Sequence, residues 1–369
     1  MSTTAASERD PLHERMAQLR AKLEARHVDV FVVTYLPNVL YLCGFTGSNG
    51  VLVVLPDSTH LFTDSRYTVQ ARQEAPAVRL HIVRGALTTV CGEFLQSRGR
   101  ARMRAAFEPA HLSVTEWTQL KLAAGARIRW KAATGLLEGL REIKTPAELE
   151  IMRSSAKLGS EVMTEVINLV RPGVTELDLA AEVDYRIRRK GAAGPSFETI
   201  VASGSRTALP HARPTSKALR KNELVLLDLG AILRHYCSDL TRTVYLGRAP
   251  AKVRRWYQAV ERAQQAALEV LAAGTTAGSV DRAARRVFER YRLGRYFTHS
   301  TGHGLGIEIH ETPRLGRKQQ QEIRVGFVVT LEPGVYLEGL GGIRIEDEVA
   351  VHADRTEVLT SAPRGLLEL

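Results

Sequence analysis

Four acidic residues lie in segments whose pattern predicts strands: Asp228, Asp239, Glu332 and Glu346. Alternating apolar positions in 223–230 and 236–244 predict two strands joined by a turn around Arg234 and His235. This pattern places Asp228 on a face that is otherwise apolar. Carboxylates brought together without a basic neighbour repel each other unless one is protonated or a cation lies between them. A divalent cation with oxygen ligands is the simplest resolution.

The same pattern recurs in 326–334 and 342–351, so the sequence predicts two strand pairs, each with two inward carboxylates. Between the pairs lies a segment rich in glycine and histidine, residues 299–310. Its glycines allow the backbone to approach a ligand closely, and its histidines offer neutral nitrogen ligands. Four carboxylates and one imidazole suit a two-metal site for ions such as Mn, Co or Zn.

Composition and charge limit the possible classes of protein. The length of 369 residues and the 44% hydrophobic content predict a sizeable core divided between two domains. The net charge is +11, but no nucleic-acid recognition module is visible, so we expect no nucleic-acid partner. Three widely spaced cysteines suit a reducing cytoplasm. The N-terminus lacks the apolar core of a signal peptide, and no apolar run has the length of a membrane span.

The order of the predicted elements divides the chain near residue 140. Alternating helices and strands up to residue 139 predict an α/β domain without an obvious metal cluster. The glycine-rich loop 44–50 lacks the lysine of a phosphate-binding loop and is interpreted as a structural turn. A linker over 140–146 leads into a helix, because Thr145 and Glu148 have the spacing of a capping box. Helices are predicted over 11–26, 68–74, 146–170, from 175 to before Gly191, 251–273 and 279–292.

Taken together, these segments resemble the pita-bread metallopeptidases, in particular aminopeptidase P and the Xaa-Pro dipeptidases, or prolidases. The resemblance rests on LLDLG, YCSDLTRT, HSTGHGLGIEIHETP, TLEPGVY and GGIRIEDEV in the second half, and on NVLYLCGFTGSNG and FTDSRYTVQA in the first. It implies a creatinase-like α/β N-terminal domain over 1–139. It also implies an α+β pita-bread catalytic domain with pseudo-twofold symmetry over 140–369.

The resemblance also implies a set of metal ligands. The five positions that bind metal in the family are filled here by Asp228, Asp239, His303, Glu332 and Glu346. Asp228 would bind one metal, His303 and Glu332 the other, and the two remaining carboxylates would bridge both. The expected cofactors are two divalent ions, Mn before Co or Zn. Glu332 is also expected to carry a proton to the leaving nitrogen of proline.

Three further positions match residues that line the substrate site in this family: His211, His310 and Arg344. The two histidines are expected to be neutral and to steady the tetrahedral intermediate, and the arginine to join the surrounding hydrogen-bond network. We expect His310 to lie on an alternating strand over 306–310. Supporting or packing roles are expected for His299, Tyr236, Thr241 and Cys237.

The function implied by the resemblance is removal of the N-terminal residue from peptides with proline in the second position. The alternative is a Xaa-Pro dipeptidase restricted to dipeptides. A metal-free creatinase-like hydrolase, a methionine aminopeptidase and a non-catalytic binding homologue are disfavoured, the first and last because all five ligand positions are filled. The expected partners are Xaa-Pro peptides and a second copy of the chain in a cytoplasmic homodimer. Peptide length, physiological metal and preferred N-terminal residue stay open.

Overall fold

The computed structural model describes residues 11–98 and 102–369, which form two compact units divided after Arg141. The predicted domain boundary at 139/140 lies just before this division. The polar segment 1–10, where no signal peptide is predicted, lies outside the described residues. None of the described helices is both long and apolar enough to span a membrane.

The first unit contains a six-stranded mixed sheet with helices between its strands. Its helices are α1 (Pro11–Ala25), α2 (Leu36–Cys43), α3 (Thr68–Glu74), α4 (Leu87–Arg98), α5 (Val114–Ala124) and α6 (Glu138–Arg141). Its strands are β1 (Val30–Val33), β2 (Val51–Val54), β3 (Thr59–Asp64), β4 (Arg79–Val83), β5 (Met103–Phe107) and β6 (Ile128–Ala132). The order is β4-β3-β2-β1-β5-β6, with β2 antiparallel to both neighbours and parallel pairing elsewhere. The predicted α/β architecture of this half is confirmed.

Helix α2 covers a segment to which the sequence analysis assigned no element. Pro37 lies in its first turn, where a missing backbone N–H breaks no helical hydrogen bond. Gly44 ends the helix with a φ of 79°, a left-handed conformation that favours glycine. The buried Glu108 carboxylate accepts hydrogen bonds from the backbone N–H groups of Thr34 and Tyr35 before the helix. Glu108 is distant in sequence, but it satisfies two backbone N–H groups directly before the helix.

The first unit contains a pair of histidines that should make its free energy of unfolding depend on pH. His60 Nδ1 lies 2.9 Å from His81 Nε2, and Phe94 packs against both rings. Burial, followed by the positive charge of Arg98, lowers the pKa of His60 to about 4, and burial also lowers the pKa of His81. These histidines bind fewer protons in the folded than in the unfolded chain. The free energy of unfolding should therefore decrease as the pH falls from about 6.5 toward 4.

We expect His60→Gln to flatten this pH dependence of the Tm, because it removes one of the two titrating rings. The full chain can be followed by tryptophan fluorescence, since Trp117 and Trp130 lie in this unit. His13→Gln, at an exposed position of α1, is the matched control and should leave the pH dependence unchanged. Equal slopes for the wild type and His60→Gln would contradict the prediction.

The second unit begins with the predicted capping box, in which Thr145 Oγ1 accepts the Glu148 N–H and Glu148 Oε2 accepts the Thr145 N–H. Its helices are α7 (Pro146–Ile167), α8 (Glu176–Arg189), α9 (Ala251–Val270) and α10 (Ala277–Arg290). The strands of its first half are β7 (Gly194–Pro195), β8 (Ile200–Ser203), β9 (Glu223–Leu229), β10 (Ala231–Leu233), β11 (Tyr236–Cys237) and β12 (Leu240–Leu246). Those of its second half are β13 (Gly302–Gly304), β14 (Glu311–Leu315), β15 (Val328–Leu331), β16 (Gly334–Leu337), β17 (Gly341–Arg344), β18 (Asp347–Val351) and β19 (Thr356–Val358). Each half thus has two helices followed by strands.

Two of the predicted strands are broken in the middle, which corrects the expectation that 236–244 and 342–351 are continuous. β9 pairs with β12 and β10 with β11, so the first strand pair divides between two sheets at Gly230 and Asp239. In the second pair, β15 pairs with β18 and β16 with β17, with the breaks at Glu332 and Glu346. A Cβ atom at Gly230 would lie 1.9 Å from the carbonyl oxygen of Ser238, so this crossing requires glycine. Three of the four candidate carboxylates therefore lie where a strand pair breaks.

Candidate metal centre and substrate site

The predicted ligands converge in the second unit. Ligand atoms of Asp239, His303 and Glu346 all lie within 4.8 Å of one another. His303 Nε2 is 3.5 Å from Asp239 Oδ2 and 3.9 Å from Glu332 Oε1. Asp228 is close enough for its charge to act on each of the other three carboxylates. The structure therefore brings together all five positions predicted from the sequence.

The local fold explains how Asp228 reaches this cluster. It lies on β9 directly opposite Thr241 of β12. Its neighbours Leu227 and Leu229 point to the other face, where they join a buried apolar cluster with residues of α7 and α8. The alternation of side chains along a strand thus directs the apolar residues into the core and Asp228 toward the carboxylates.

Crowding of buried carboxylates makes their full ionisation unfavourable. Burial, and then the negative charges of neighbouring carboxylates, raise the pKa of both Asp239 and Glu346. Burial also raises the pKa of Glu332, although His303 and Arg344 act in the opposite direction. Desolvation and like charges both disfavour the charged form of an acid. A bound cation would remove this penalty.

The prediction that no basic residue lies beside the carboxylates is wrong. Arg344 Nη2 donates a hydrogen bond to Asp228 Oδ2. The Nη1 atom of the same guanidinium donates to the hydroxyl of Tyr336 at 2.7 Å and to the carbonyl oxygen of Pro210 at 3.2 Å. One guanidinium among four carboxylates leaves the centre negative, so the electrostatic argument for cations persists.

The donor atoms fit divalent cations. Asp228 Oδ1 is buried and has no hydrogen-bond partner among the described residues. A buried polar atom without a partner is unfavourable, and a cation would provide one. Carboxylate oxygens with a single imidazole are the ligand types that suit Mn, Co and Zn.

Side chains around the cluster contact two of the predicted ligands. The Thr241 hydroxyl donates to Glu346 Oε2 at 2.7 Å and accepts from Arg344 Nε at 3.1 Å. The buried Glu348 accepts the backbone N–H of Asp239 at 2.8 Å, and burial raises the pKa of Glu348 to about 8. Such contacts fix the orientation of metal ligands. Thr241 was expected in a supporting role, whereas Glu348 was missed. Glu348 lies on β18 beside apolar residues, and a carboxylate among apolar residues is the pattern from which Asp228 was predicted.

His299 lies beside the ligands. Its Nδ1 is 2.8 Å from the Ser300 carbonyl oxygen and 3.8 Å from Glu332 Oε2, and its Nε2 is 2.9 Å from the Tyr336 hydroxyl. Burial lowers the pKa of His299 to about 4, which favours the neutral ring. In that form Nδ1–H donates to the Ser300 carbonyl oxygen and Nε2 accepts from Tyr336. Tyr336, which also contacts Arg344, was missed by the sequence analysis.

His310 lies against His303, with ring centroids 4.5 Å apart. Partial burial, then the nearby His303 and His211, lower the pKa of His310. The predicted strand over 306–310 is wrong, because this segment is a bend in which the Gly306 N–H donates to the carbonyl oxygen of Glu308. The ladder between β13 and β14 is irregular here, so spacing along a regular strand does not apply.

His211 lies in the exposed loop that follows the 3₁₀ helix Gly204–Ala208. It lies close enough to His299 and His310 to help lower the pKa of both rings. The preceding residue, Pro210, accepts a hydrogen bond from Arg344 through its carbonyl oxygen. Arg344 therefore connects Asp228 with the loop that carries His211.

The two residues that follow the turn at His235 have packing roles. The Tyr236 hydroxyl donates to Glu148 Oε1 at 2.7 Å, so this tyrosine supports the start of α7. Cys237 is buried, and burial raises the pKa of its thiol. The buried position of Cys237 agrees with its predicted role as a small hydrophobic residue.

Comparison with known proteins places the chain in a family. Residues 150–353 match the metallopeptidase family M24, and residues 15–143 match the creatinase/prolidase N-terminal domain. The chain belongs to metallopeptidase family M24, whose activity depends on divalent metal ions. The predicted combination of a creatinase-like domain with a pita-bread catalytic domain is confirmed, and so is the prediction of a metal-dependent peptidase. The assignment of roles to individual residues stays a prediction.

Some similar proteins are named Xaa-Pro dipeptidases and others X-Pro aminopeptidases. The chain is 32% identical over 357 residues to a Xaa-Pro dipeptidase of Pyrococcus furiosus, covering 96% of this chain and 100% of that relative. A Xaa-Pro dipeptidase structure from Bacillus anthracis matches with a TM-score of 0.92 and 33% identity, covering 97% and 100%. An X-Pro aminopeptidase structure from Thermotoga maritima matches with a TM-score of 0.89 and 31% identity, covering 96% and 99%. Overall similarity therefore does not separate the two activities.

Proposed function

We propose that the protein is a two-metal Xaa-Pro aminopeptidase that removes the N-terminal residue from peptides with proline in the second position. The convergence of Asp239, His303 and Glu346 beside two further carboxylates is the observation that carries the proposal. The names of the similar proteins agree with proline after the scissile bond. All five ligand positions are filled, which argues against a metal-free creatinase-like hydrolase and a non-catalytic binding protein.

The proposed ligand set follows the family resemblance. Asp228 would hold one divalent cation, His303 and Glu332 would hold the second, and Asp239 and Glu346 would contribute to both. The cations, with Mn as the first choice and Co or Zn as alternatives, would polarise the scissile carbonyl and lower the pKa of a water. Thr241 and Glu348 keep the two bridging carboxylates in position through the hydrogen bonds described above.

Proton transfer is assigned to Glu332. The nitrogen of proline in a peptide is a tertiary amide, so it carries no proton of its own and must be protonated as it leaves. The Glu332 carboxylate would take up a proton from the attacking water and deliver it to this nitrogen. His299 Nδ1 lies 3.8 Å from this carboxylate.

Stabilisation of the developing oxyanion is assigned to His310 and His211. The lowered pKa of His310 keeps its ring neutral near pH 7, so that it can donate one N–H without adding a charge. Arg344 contributes by positioning, because it contacts Asp228 and also the carbonyl oxygen of Pro210 next to His211.

The alternative is a Xaa-Pro dipeptidase, which the names of several similar proteins favour. A pocket of about 540 Å³ adjoins the centre and is lined in part by His299 and Arg314. A substrate that extended past the proline into this pocket would favour the aminopeptidase.

Hydrolysis of Ala-Pro-Ala and Ala-Pro by the same preparation tests the proposal. We expect alanine to be released from both peptides after loading with Mn, and little release from Ala-Ala-Ala. Acetyl-Ala-Pro-Ala is the matched control for the free amino terminus and should not be cleaved. Hydrolysis of Ala-Pro alone would select the dipeptidase. No hydrolysis of either peptide with Mn, Co or Zn would reject the peptidase proposal altogether.

Two further parts of the proposal concern the setting of the enzyme. The homodimer rests on the family resemblance, and light scattering of the purified chain measures it. A cytoplasmic location agrees with three cysteines that are all free and buried.

A further inference from the structure

A basic pocket lies next to the candidate metal centre. Four arginines line it, and we call it the arginine pocket: Arg285, Arg295, Arg314 and Arg317. His299 and Ser300 line the same pocket, whose volume is about 540 Å³. No aspartate or glutamate is among its lining residues. A concave surface with one sign of charge concentrates ligands of the opposite sign.

The four arginines differ in their contacts. Arg285 is held in place, because it forms an ion pair with Asp281 and donates to the carbonyl oxygens of Phe297 and His299. The guanidinium of Arg295 lies over the ring of Tyr296, at 4.6 Å from its centroid. In the described part of the chain, no carboxylate forms an ion pair with Arg295, Arg314 or Arg317. Arg295 also donates one hydrogen bond to the Tyr296 hydroxyl. Three arginines without a carboxylate partner among the described residues therefore line one pocket.

The arginine pocket shares His299 with the surroundings of the candidate metal centre. His299 belongs to the pocket and lies 3.8 Å from Glu332. Arg314 lies on β14 directly opposite His303 of β13, and its positive charge acts on Glu332. A peptide bound across the carboxylate centre can therefore extend into the pocket without leaving the protein surface.

The positive charge of the arginine pocket determines which end of a substrate peptide can bind there. An aminopeptidase substrate carries an ammonium group at the residue before the scissile bond, and arginines repel it. The residues after the proline carry no such cation. Guanidinium groups bind carboxylates through paired, charge-assisted hydrogen bonds. The pocket therefore matches an acidic group in the part of the peptide that follows the proline.

We propose that the arginine pocket selects peptides in which the residue after the proline carries an acidic side chain, through Arg295 and Arg317. This inference rests on the proposed aminopeptidase function and names a substrate class for it. A charge-assisted hydrogen bond typically contributes enough to change kcat/KM roughly tenfold. Most of the change should appear in KM, since the contact forms away from the reacting atoms.

The test compares Ala-Pro-Glu-amide with Ala-Pro-Gln-amide, which differ in one charge and lack a terminal carboxylate. We expect kcat/KM to be about tenfold higher for the glutamate peptide in the wild type, with a ratio that falls as NaCl is raised. The ratio should fall toward one in Arg295→Gln/Arg317→Gln and below one in Arg317→Glu. The matched control removes two exposed arginines elsewhere, Arg248→Gln/Arg355→Gln, and should keep the wild-type ratio.

The outcomes separate this inference from the proposed function. Cleavage of both amides with equal kcat/KM, or a ratio that the pocket variants leave unchanged, would overturn the inference and keep the aminopeptidase. A pocket effect seen only when Ala-Pro-Gln with a free carboxyl end is compared with its amide would assign the pocket to the terminal carboxylate, which also overturns the inference. Hydrolysis of Ala-Pro without cleavage of any tripeptide would overturn the aminopeptidase proposal itself.

Discussion

Asp239→Asn is expected to abolish peptidase activity and lower the metal content while leaving the fold intact. Asp239 lies in the centre of the cluster, 3.5 Å from His303 Nε2, and its backbone N–H is fixed by Glu348. Asparagine has nearly the same shape but lacks the negative charge that a metal ligand would supply. Since a metal ion contributes several kcal/mol to the transition state, activity should drop by roughly a thousandfold or more.

In the absence of metal, the substitution Asp239→Asn should not lower the stability of the protein. Burial and neighbouring carboxylates raise the pKa of Asp239, so its ionised form is unfavourable in the absence of cations. Asp239→Asn removes one repelling charge, and the Tm of the metal-free variant should therefore equal or exceed that of the metal-free wild type. This result would separate a lost ligand from a damaged fold.

Metal stoichiometry, activity and Tm measured on the same preparations check both expectations. Asp354→Asn, at an exposed position of the second unit, is the matched control and should behave as the wild type. Full activity in excess chelator, with metal shown to be absent, would contradict the role of Asp239 and the two-metal proposal together.

Local signals in the sequence were sufficient for much of the fold. The capping box of α7 and the turn at Arg234 and His235 follow from a few adjacent residues, and the structure contains both, with φ of 48° and 72° at the turn. A carboxylate on an apolar face identified Asp228 because the period of two along a strand is itself a local property.

Features that depend on contacts between distant segments could not be predicted from residues that are neighbours in the sequence. The break at Glu346 exists because β17 pairs with β16 whereas β18 pairs with β15, and nothing adjacent in the sequence marks that division. The contact between Arg344 and Asp228 likewise joins two strands far apart in the chain. The bend that brings His310 beside His303 follows an irregular ladder, which alternation of residue types does not reveal.

His310→Ala is expected to lower kcat by about a hundredfold or more without changing the metal content. A donor directed at a developing oxyanion is typically worth about 3–4 kcal/mol in the transition state. His310 lies beside His303, and the segment 306–310 is a bend, so we expect His310 to contact the substrate carbonyl. The five ligand positions already account for the metal site, which is why the metal content should persist.

His211→Ala should cause similar or milder damage, with a larger share in KM, because its loop is exposed and held through the contact of Pro210 with Arg344. His310→Gln keeps an uncharged N–H donor and should recover part of the activity that His310→Ala loses, whereas a merely structural role predicts no such recovery. His13→Ala, at an exposed position of α1, is the control for histidine loss. Loss of a metal ion in His310→Ala would make His310 a ligand, and unaltered kinetics in both variants would remove the two histidines from the mechanism.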